Sequence, residues 1–524
     1  MTGCLRFPAR RLAGALLALL VLTLAACAEK PVRQGAAQAP QKPAALAPLA
    51  ESGLDESAGA RQLRAKIEAL ASDPKYAGSR LGVYVQSLAG NAALARINAH
   101  EPMAPASNMK LFTTAASLYY LSPAYRYATV LAASGPVKAG TLTGDLIVVG
   151  SGDPAISGGG GYGGEGGFAM TGFAEALAAK GIKTVGGDLV GDESRFERFS
   201  YYPGWCAEDE LKPYAAPSGA LSLNQNCVGV VVKPGRKQGD KAEVELTPPA
   251  ACFVVDNGAV TASGAKKAAA PLSVARKPAS NVIEVHGRQS IRVPAREYLL
   301  TVDDPGMFFM TALAETLKNS GIRVAGKTRL SREPAAGSQT RDTLFVHYSP
   351  ELRELIRTTN KKSNNFYAEQ LLKTIGAQAR GLGSRENGAA AVTSFMGSLG
   401  VSEKEFAMTD GSGLSLLNRV SPYSLIALLR SMHKSEYFSD FYASLPVAGV
   451  DGTLQRRMRG APAEGVVHAK TGTMQGVSAL SGYVTGRDGK PYALAVIVNG
   501  PCAPGGAHAL QDQICSLIAA YSAD

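Results

Sequence analysis

Ser107-Asn108-Met109-Lys110, Ser363-Asn364-Asn365 and Lys470-Thr471-Gly472-Thr473 follow one another along a chain of 524 residues. Together they hold the parts of a serine acyl-transfer site that runs without histidine. A serine hydroxyl attacks a carbonyl only as it loses its proton to a nearby base. Lys110, three residues after Ser107, serves as that base if its pKa is lowered, and burial and the nearby cation Lys470 both act in that direction. Ser363 offers a hydroxyl able to relay a proton between the lysines and a leaving amine. Asn365 can hold Lys110 and a substrate carbonyl through its amide. Lys470 and Thr471 suit a terminal carboxylate, and the amides of Ser107 and Thr473 suit a developing oxyanion.

Each motif alone is cheap. Ser-x-x-Lys recurs at residues 72–75, 263–266 and 431–434, and Ser222-Leu223-Asn224 repeats the Ser-x-Asn spacing. Lys-Thr-Gly occurs once, and the order of the three carries the weight. The chain has no Gly-x-Ser-x-Gly elbow, which removes an α/β-hydrolase site.

The elements that must position these residues are legible in outline. Residues 111–121 are apolar or small on every face, which predicts a buried helix with Ser107 at its N-terminus and Lys110 on the same face. Helical spacing also marks 61–71, 352–357, 365–374, 389–399 and 423–431. Alternation marks strands at 81–89, with 92–97 as hairpin partner, and at 476–485 and 492–499, before a last helix at 506–521. Between them, short β-like runs (146–149, 187–190, 228–232, 281–285) separated by Gly and Pro read as inserted α+β modules. The expected fold class is therefore α/β (α+β). One discontinuous domain is expected from 61–125 plus 345–524, with one or two inserted domains at 126–344.

The first residues carry Arg6, Arg10 and Arg11, then the apolar run 12–26 and Cys27, which reads as a signal peptide over 1–26. Leu24-Ala25-Ala26-Cys27 matches a bacterial lipobox, so lipidation at Cys27 and a flexible Ala/Pro/Gln-rich tether over 27–60 are expected. Ala28 after the cysteine favours the outer membrane of the periplasm. Loss of 1–26 lowers the formal charge of +11 by three. The basic residues form no dense run with interleaved aromatics, so no nucleic-acid partner is expected. Proximity suggests Cys206 with Cys227 and Cys502 with Cys515, leaving Cys252 over. The six histidines form no close pair and no Cys-x-x-Cys is present, so neither metal nor cofactor is expected. The glycine run 158–167 lacks the Gly-Lys-Ser/Thr end of a phosphate loop and reads as a flexible loop. His468, two residues before Lys470, reads as a strand residue with no role, although it stands close enough to tune that lysine.

The ordered motifs resemble those of the penicillin-recognising serine enzymes. The long gap from Lys110 to Ser363 is similar to that of the class C low-molecular-mass penicillin-binding proteins, the D-alanyl-D-alanine carboxypeptidase/endopeptidase family. Gly150-Ser151-Gly152-Asp153-Pro154, Pro203-Gly204-Trp205, Tyr214-Ala215-Ala216-Pro217, Asp410-Gly411-Ser412-Gly413-Leu414-Ser415 and Asp451-Gly452-Thr453-Leu454 look like that family too, so the resemblance spans about residues 60–522. It implies a β-lactamase/DD-peptidase-like transpeptidase domain with a large insertion. Ser107 is then the acylated nucleophile, Lys110 the base, Ser363 and Asn365 the second element, and Lys470 with Thr471 the carboxylate binders. Gln475 lines the cleft, and Asp209 meets the amino group of the substrate side chain. Where several relatives carry Gly-Leu-Ser-Arg, this chain has Leu416, which puts recognition of a side-chain carboxylate in doubt unless Arg419 reaches in. The expected activity is serine D-Ala-D-Ala carboxypeptidase, with DD-endopeptidase action on cross-links. Its partners are peptidoglycan stem peptides, β-lactams as covalent inhibitors, and a membrane through the lipid. The alternatives are a β-lactamase and a non-catalytic peptidoglycan-binding lipoprotein. Oligomeric state stays open.

Overall fold

Alternation along five strands builds the central layer. Ala93–Ile97, Arg80–Ser87, Pro491–Asn499, Val477–Thr485 and Val467–Met474 form an antiparallel sheet in that order, so strands from both ends of the chain share it. Successive side chains leave opposite faces. Val83, Val85, Leu494, Val496 and Leu480 join a core with Leu63 and Ile67 of the helix Ala58–Ala71 and with Leu510 and Ile514 of the last helix, Pro504–Ala519. Tyr84, Ala495, Ile497, Ala479 and Tyr483 face the other way, onto Leu111 and Leu118 of the helix Met109–Leu121 and onto Leu425 and Leu429 of Pro422–Lys434.

The structure is a computed structural model that describes residues 51, 53–158, 169–199, 201–264, 271–333, 342–501 and 504–523. The described residues belong to one unit, Ala44–Asp524; the other, Met1–Pro43, contains the expected signal peptide and Cys27 and lies outside them. Most of the expected tether and of the glycine run also lies outside. Among the described residues no helix is long and apolar enough to cross a membrane.

Between Ala128 and Tyr348 a second five-stranded sheet runs Thr328–Ser331, Leu189–Asp192, Leu146–Val149, Ala128–Ala133, Asp342–Tyr348. Its helices Thr171–Ala179 and Pro305–Asn319 bury Phe173, Phe308, Phe309 and Leu313 in a separate core with Leu131, Val148 and Leu189. Smaller sheets, including Glu243–Thr247, Cys227–Lys233 and Arg296–Thr301, extend this region.

The helix Asn365–Arg380 joins the two regions. Asn364 caps its start by accepting the Tyr367 N–H at 3.0 Å, and Gly381 ends it at φ 86°. Residues 366–376 are buried on every side, as a helix with neighbours all round must be. Gln370 Nε2 donates to the carbonyls of Gly152 and Gly219 and to Ser222 Oγ at 2.9–3.2 Å, and Thr374 Oγ1 meets Tyr127 Oη at 2.8 Å.

Two expectations about cysteines change. Cys206 is exposed and Cys227 buried at the start of a strand, and both are free thiols; their nearness in sequence does not bring them together. Cys515 is also free and buried, and Cys502 lies outside the described residues.

Candidate active site

Ser107 sits in the single 3-10 turn Ala106–Asn108 that leads into the helix Met109–Leu121. Asn108 anchors this turn, its buried Nδ2 donating to Ser481 Oγ at 2.8 Å on the sheet. The edge strand Val467–Met474 passes so close that a Cβ on Gly472 would stand 2.6 Å from the Pro105 carbonyl oxygen and 3.0 Å from the Ser107 nitrogen. Glycine is needed there to let strand and turn meet. Gly413 closes the other side at φ 85°, where a Cβ would collide with the Ala106 carbonyl oxygen. Ala106 at φ 45° and Ser363 at φ 54° are also left-handed, a conformation that costs about 1–3 kcal/mol outside glycine and clusters at functional sites.

Lys110 Nζ is fully buried and lies 2.9 Å from Ser107 Oγ, 2.6 Å from Asn365 Oδ1 and 2.7 Å from the Ser412 carbonyl oxygen. Asn365 Nδ2 donates to the Tyr214 carbonyl at 2.9 Å, which fixes the amide with its oxygen toward the lysine. Burial lowers Lys110 to about 7, against the opposing pull of the Asp410 and Glu369 carboxylates. The expected help from Lys470 is corrected: the repulsion falls on Lys470, which burial first and Lys110 second hold well below the ordinary lysine value.

Lys470 Nζ donates to Ser363 Oγ and to the Thr471 carbonyl, both at 2.8 Å. Ser363 and Asn364 lie in the short connection between the helices Leu352–Lys361 and Asn365–Arg380, and Asn365 opens the second. Asn364 Nδ2 reaches Gln225 Oε1 at 2.7 Å. Thr471 Oγ1 meets Thr453 Oγ1 at 2.7 Å.

A cleft of about 560 Å³ opens over Ser107, lined among others by Asn365, Thr473, Gln475, Glu208 and Asp209. Asp209 Oδ1 accepts from the Tyr214 hydroxyl at 2.5 Å, and that bond chiefly pushes the phenol up to about 12. Among the described residues the lining also includes Leu414, Leu416 and Met474 and carries no Lys or Arg. Arg419 does not reach in; its guanidinium is held by the carbonyls of Leu416 and Asn418. His468 stacks on Tyr442, ring centroids 4.0 Å apart. Away from the cleft, ligand atoms of Asp256, Glu284 and His286 lie within 4.8 Å of one another, and Lys277 already pairs with Glu284 at 3.2 Å.

Sequence reasoning gave no role to Asp410, although it organises the site. Its carboxylate accepts the amides of Gly413 and Ser415 at 2.7 and 2.6 Å, and Trp205 Nε1 at 2.8 Å from the distal region. The Asp410-Gly411-Ser412-Gly413 stretch was the available signal.

A family model described as the D-Ala-D-Ala carboxypeptidase 3 (S13) family matches residues 63–521. The chain is 37% identical over 487 residues to a D-alanyl-D-alanine carboxypeptidase of Actinomadura sp. (strain R39), spanning 90% of this chain and 88% of the relative. It is 27% identical over 435 residues to D-alanyl-D-alanine carboxypeptidase DacB of Haemophilus influenzae, spanning 81% and 86%. The crystal structure of penicillin binding protein 4 (dacB) from Haemophilus influenzae matches with a TM-score of 0.73 at 25% identity, covering 86% of this chain and 99% of that one. The chain therefore belongs to the D-Ala-D-Ala carboxypeptidase 3 (S13) family and is a serine peptidase of that class.

Proposed function

We propose that Ser107 is the nucleophile and Lys110 the general base of this D-Ala-D-Ala carboxypeptidase. The observation that carries the assignment is the hydrogen-bond count at Lys110 Nζ. A neutral amine has two N–H groups and one lone pair. Asn365 Oδ1 and the Ser412 carbonyl can only accept, so the lone pair is left for the Ser107 hydroxyl.

As Ser107 Oγ bonds to the carbonyl carbon of the penultimate D-alanine, its proton passes to Lys110. The oxyanion meets the amides of Ser107 and Thr473. The C–N bond then breaks, and the leaving amine takes a proton from Ser363 Oγ, which the lysines replenish, Lys470 standing 2.8 Å away. Water attacks the resulting ester with Lys110 again as base, restoring the serine. Lys470 and Thr471 hold the terminal carboxylate, the second N–H of Asn365 holds the acyl carbonyl oxygen of the peptide bond before it, and Gln475 borders the bound peptide. A cross-linked amine leaves by the same steps, which is the endopeptidase reaction. Asp209, at the far end of the cleft, suits a cationic stem-peptide side chain, and Leu416 offers no charge to a carboxylate there.

Residues 61–125 and 345–524 form the catalytic domain in this reading, with 126–344 inserted. Cys27 carries a lipid after removal of 1–26, which tethers the enzyme in the periplasm, at the outer membrane. Release of D-alanine from a D-Ala-D-Ala peptide is the test: wild type releases it and Ser107→Ala does not. Equal release by the folded variant contradicts the assignment.

A further inference from the structure

Glu369 lies one helical turn beyond Asn365, fully buried, and does not line the cleft. Its oxygens face backbone: Oε1 accepts the Ser412 N–H at 2.7 Å and Oε2 the Gly411 N–H at 3.1 Å. The Gly411 carbonyl accepts Thr113 Oγ1 at 2.7 Å from the helix that carries Lys110. A Cβ on Gly411 would stand 2.6 Å from the Ala368 carbonyl oxygen. The turn is thus clamped between the nucleophile helix and the helix of Glu369, and its next carbonyl, that of Ser412, takes one of the two N–H groups of Lys110.

That carbonyl decides where the amine's lone pair goes. If it turns away, Lys110 keeps one fixed acceptor, Asn365 Oδ1, and can rotate an N–H toward Ser107. A base presented that way cannot take the serine's proton.

We propose that Glu369 is a positioning residue for acylation: by gripping the Gly411 and Ser412 amides it aims the Ser412 carbonyl at Lys110 and keeps the lysine's lone pair on Ser107. This deepens the reading of Ser107 and Lys110 as nucleophile and base, and rests on it. A glutamine cannot substitute, because one of its two terminal atoms is an NH2 facing an N–H donor. Glu369 is faced by Asp410, Lys110, Lys373 and Tyr202, and Lys110 by Asp410, Glu369 and Lys470. Burial first and Asp410 second raise Glu369 to about 8, above Lys110 at about 7, so Glu369 acts on the lysine through its grip on the two amides.

The test is the rate constant of acylation by benzylpenicillin, followed by intact mass across the Lys110 titration. It is read on the fraction that labels, so partial misfolding does not enter. In Glu369→Gln the limiting rate constant falls by about tenfold or more while the half-saturating drug concentration stays. Glu369→Asp, whose carboxylate is drawn back by one methylene, is slowed as well. A wild-type rate constant in Glu369→Gln overturns the proposal, and so does a slower rate that comes with a raised half-saturating drug concentration, which marks a general loss of the cleft. If Glu369→Gln yields no folded protein, a wild-type rate in Glu369→Asp overturns it. Failure of the wild type to label at all would instead contradict the assignment of Ser107.

Discussion

In the proposed mechanism the chemistry at Lys110 rests on a proton count that burial makes possible. With its pKa lowered to about 7, the lysine is protonated and unable to act as base below that value, and free to act above it. Acylation by a β-lactam should therefore rise as pH rises through about 7 and then level off, as measured by mass-resolved labelling rates; a rate independent of pH in that range contradicts the role. Around Ser107 the backbone is as demanding as the side chains. Gly413→Ala puts a Cβ into the Ala106 carbonyl at a positive φ, so the variant should lose more than about 2 kcal/mol in a denaturation experiment and acylate far more slowly. Ser107, Lys110, Ser363, Asn365 and Lys470 are legible in the sequence because the chemistry fixes their types and short spacings. Glu369 is not, because it acts on backbone amides brought to it by folding, and for Asp410 the Asp410-Gly411-Ser412-Gly413 stretch marks the residue but not the amides it grips.

At the scale of the element, the helix Asn365–Arg380 carries Asn365 into the cleft and holds two regions together. Asn364, the middle residue of its motif, does the capping. Asn364→Ala should cost about 1 kcal/mol of stability, seen as a lower Tm, and should slow acylation by loosening Asn365; an unchanged Tm contradicts the cap. Residues 365–374 are legible as helical from their apolar spacing, whereas the last six residues to Arg380 are not, since Gln378 and Arg380 break the apolar pattern and tertiary contacts carry the helix on. The left-handed backbone of Ser363 also escapes a sequence reading, although the helical runs 352–357 and 365–374 place it between two helices. Cysteine proximity misleads for a related reason: Cys206 lies on an exposed turn while Cys227 enters a buried strand.

For the whole molecule, the central sheet is completed only when residues 80–97 meet residues 467–499. The alternation of each strand is legible locally; their order in the sheet is not, because register between distant segments is set by packing. The region between Ala128 and Tyr348 reaches the site through Trp205 on Asp410, Tyr214 on Asn365 and Gln225 on Asn364, so it shapes the cleft rather than decorating it. The proposed lipid anchor at Cys27 has its own test. Cys27→Ser should move the protein from the membrane fraction to the soluble fraction of cells with D-Ala-D-Ala carboxypeptidase activity retained; an unchanged membrane fraction contradicts the lipid anchor.

The most direct test of the central claim is the intact mass of the protein after brief exposure to benzylpenicillin, with Ser107→Ala beside the wild type. The account predicts one drug added to the wild type, persisting after the free drug is removed, and none added to the variant. An adduct of the same mass on Ser107→Ala, or a wild type that hydrolyses the drug rapidly without holding it, would contradict it.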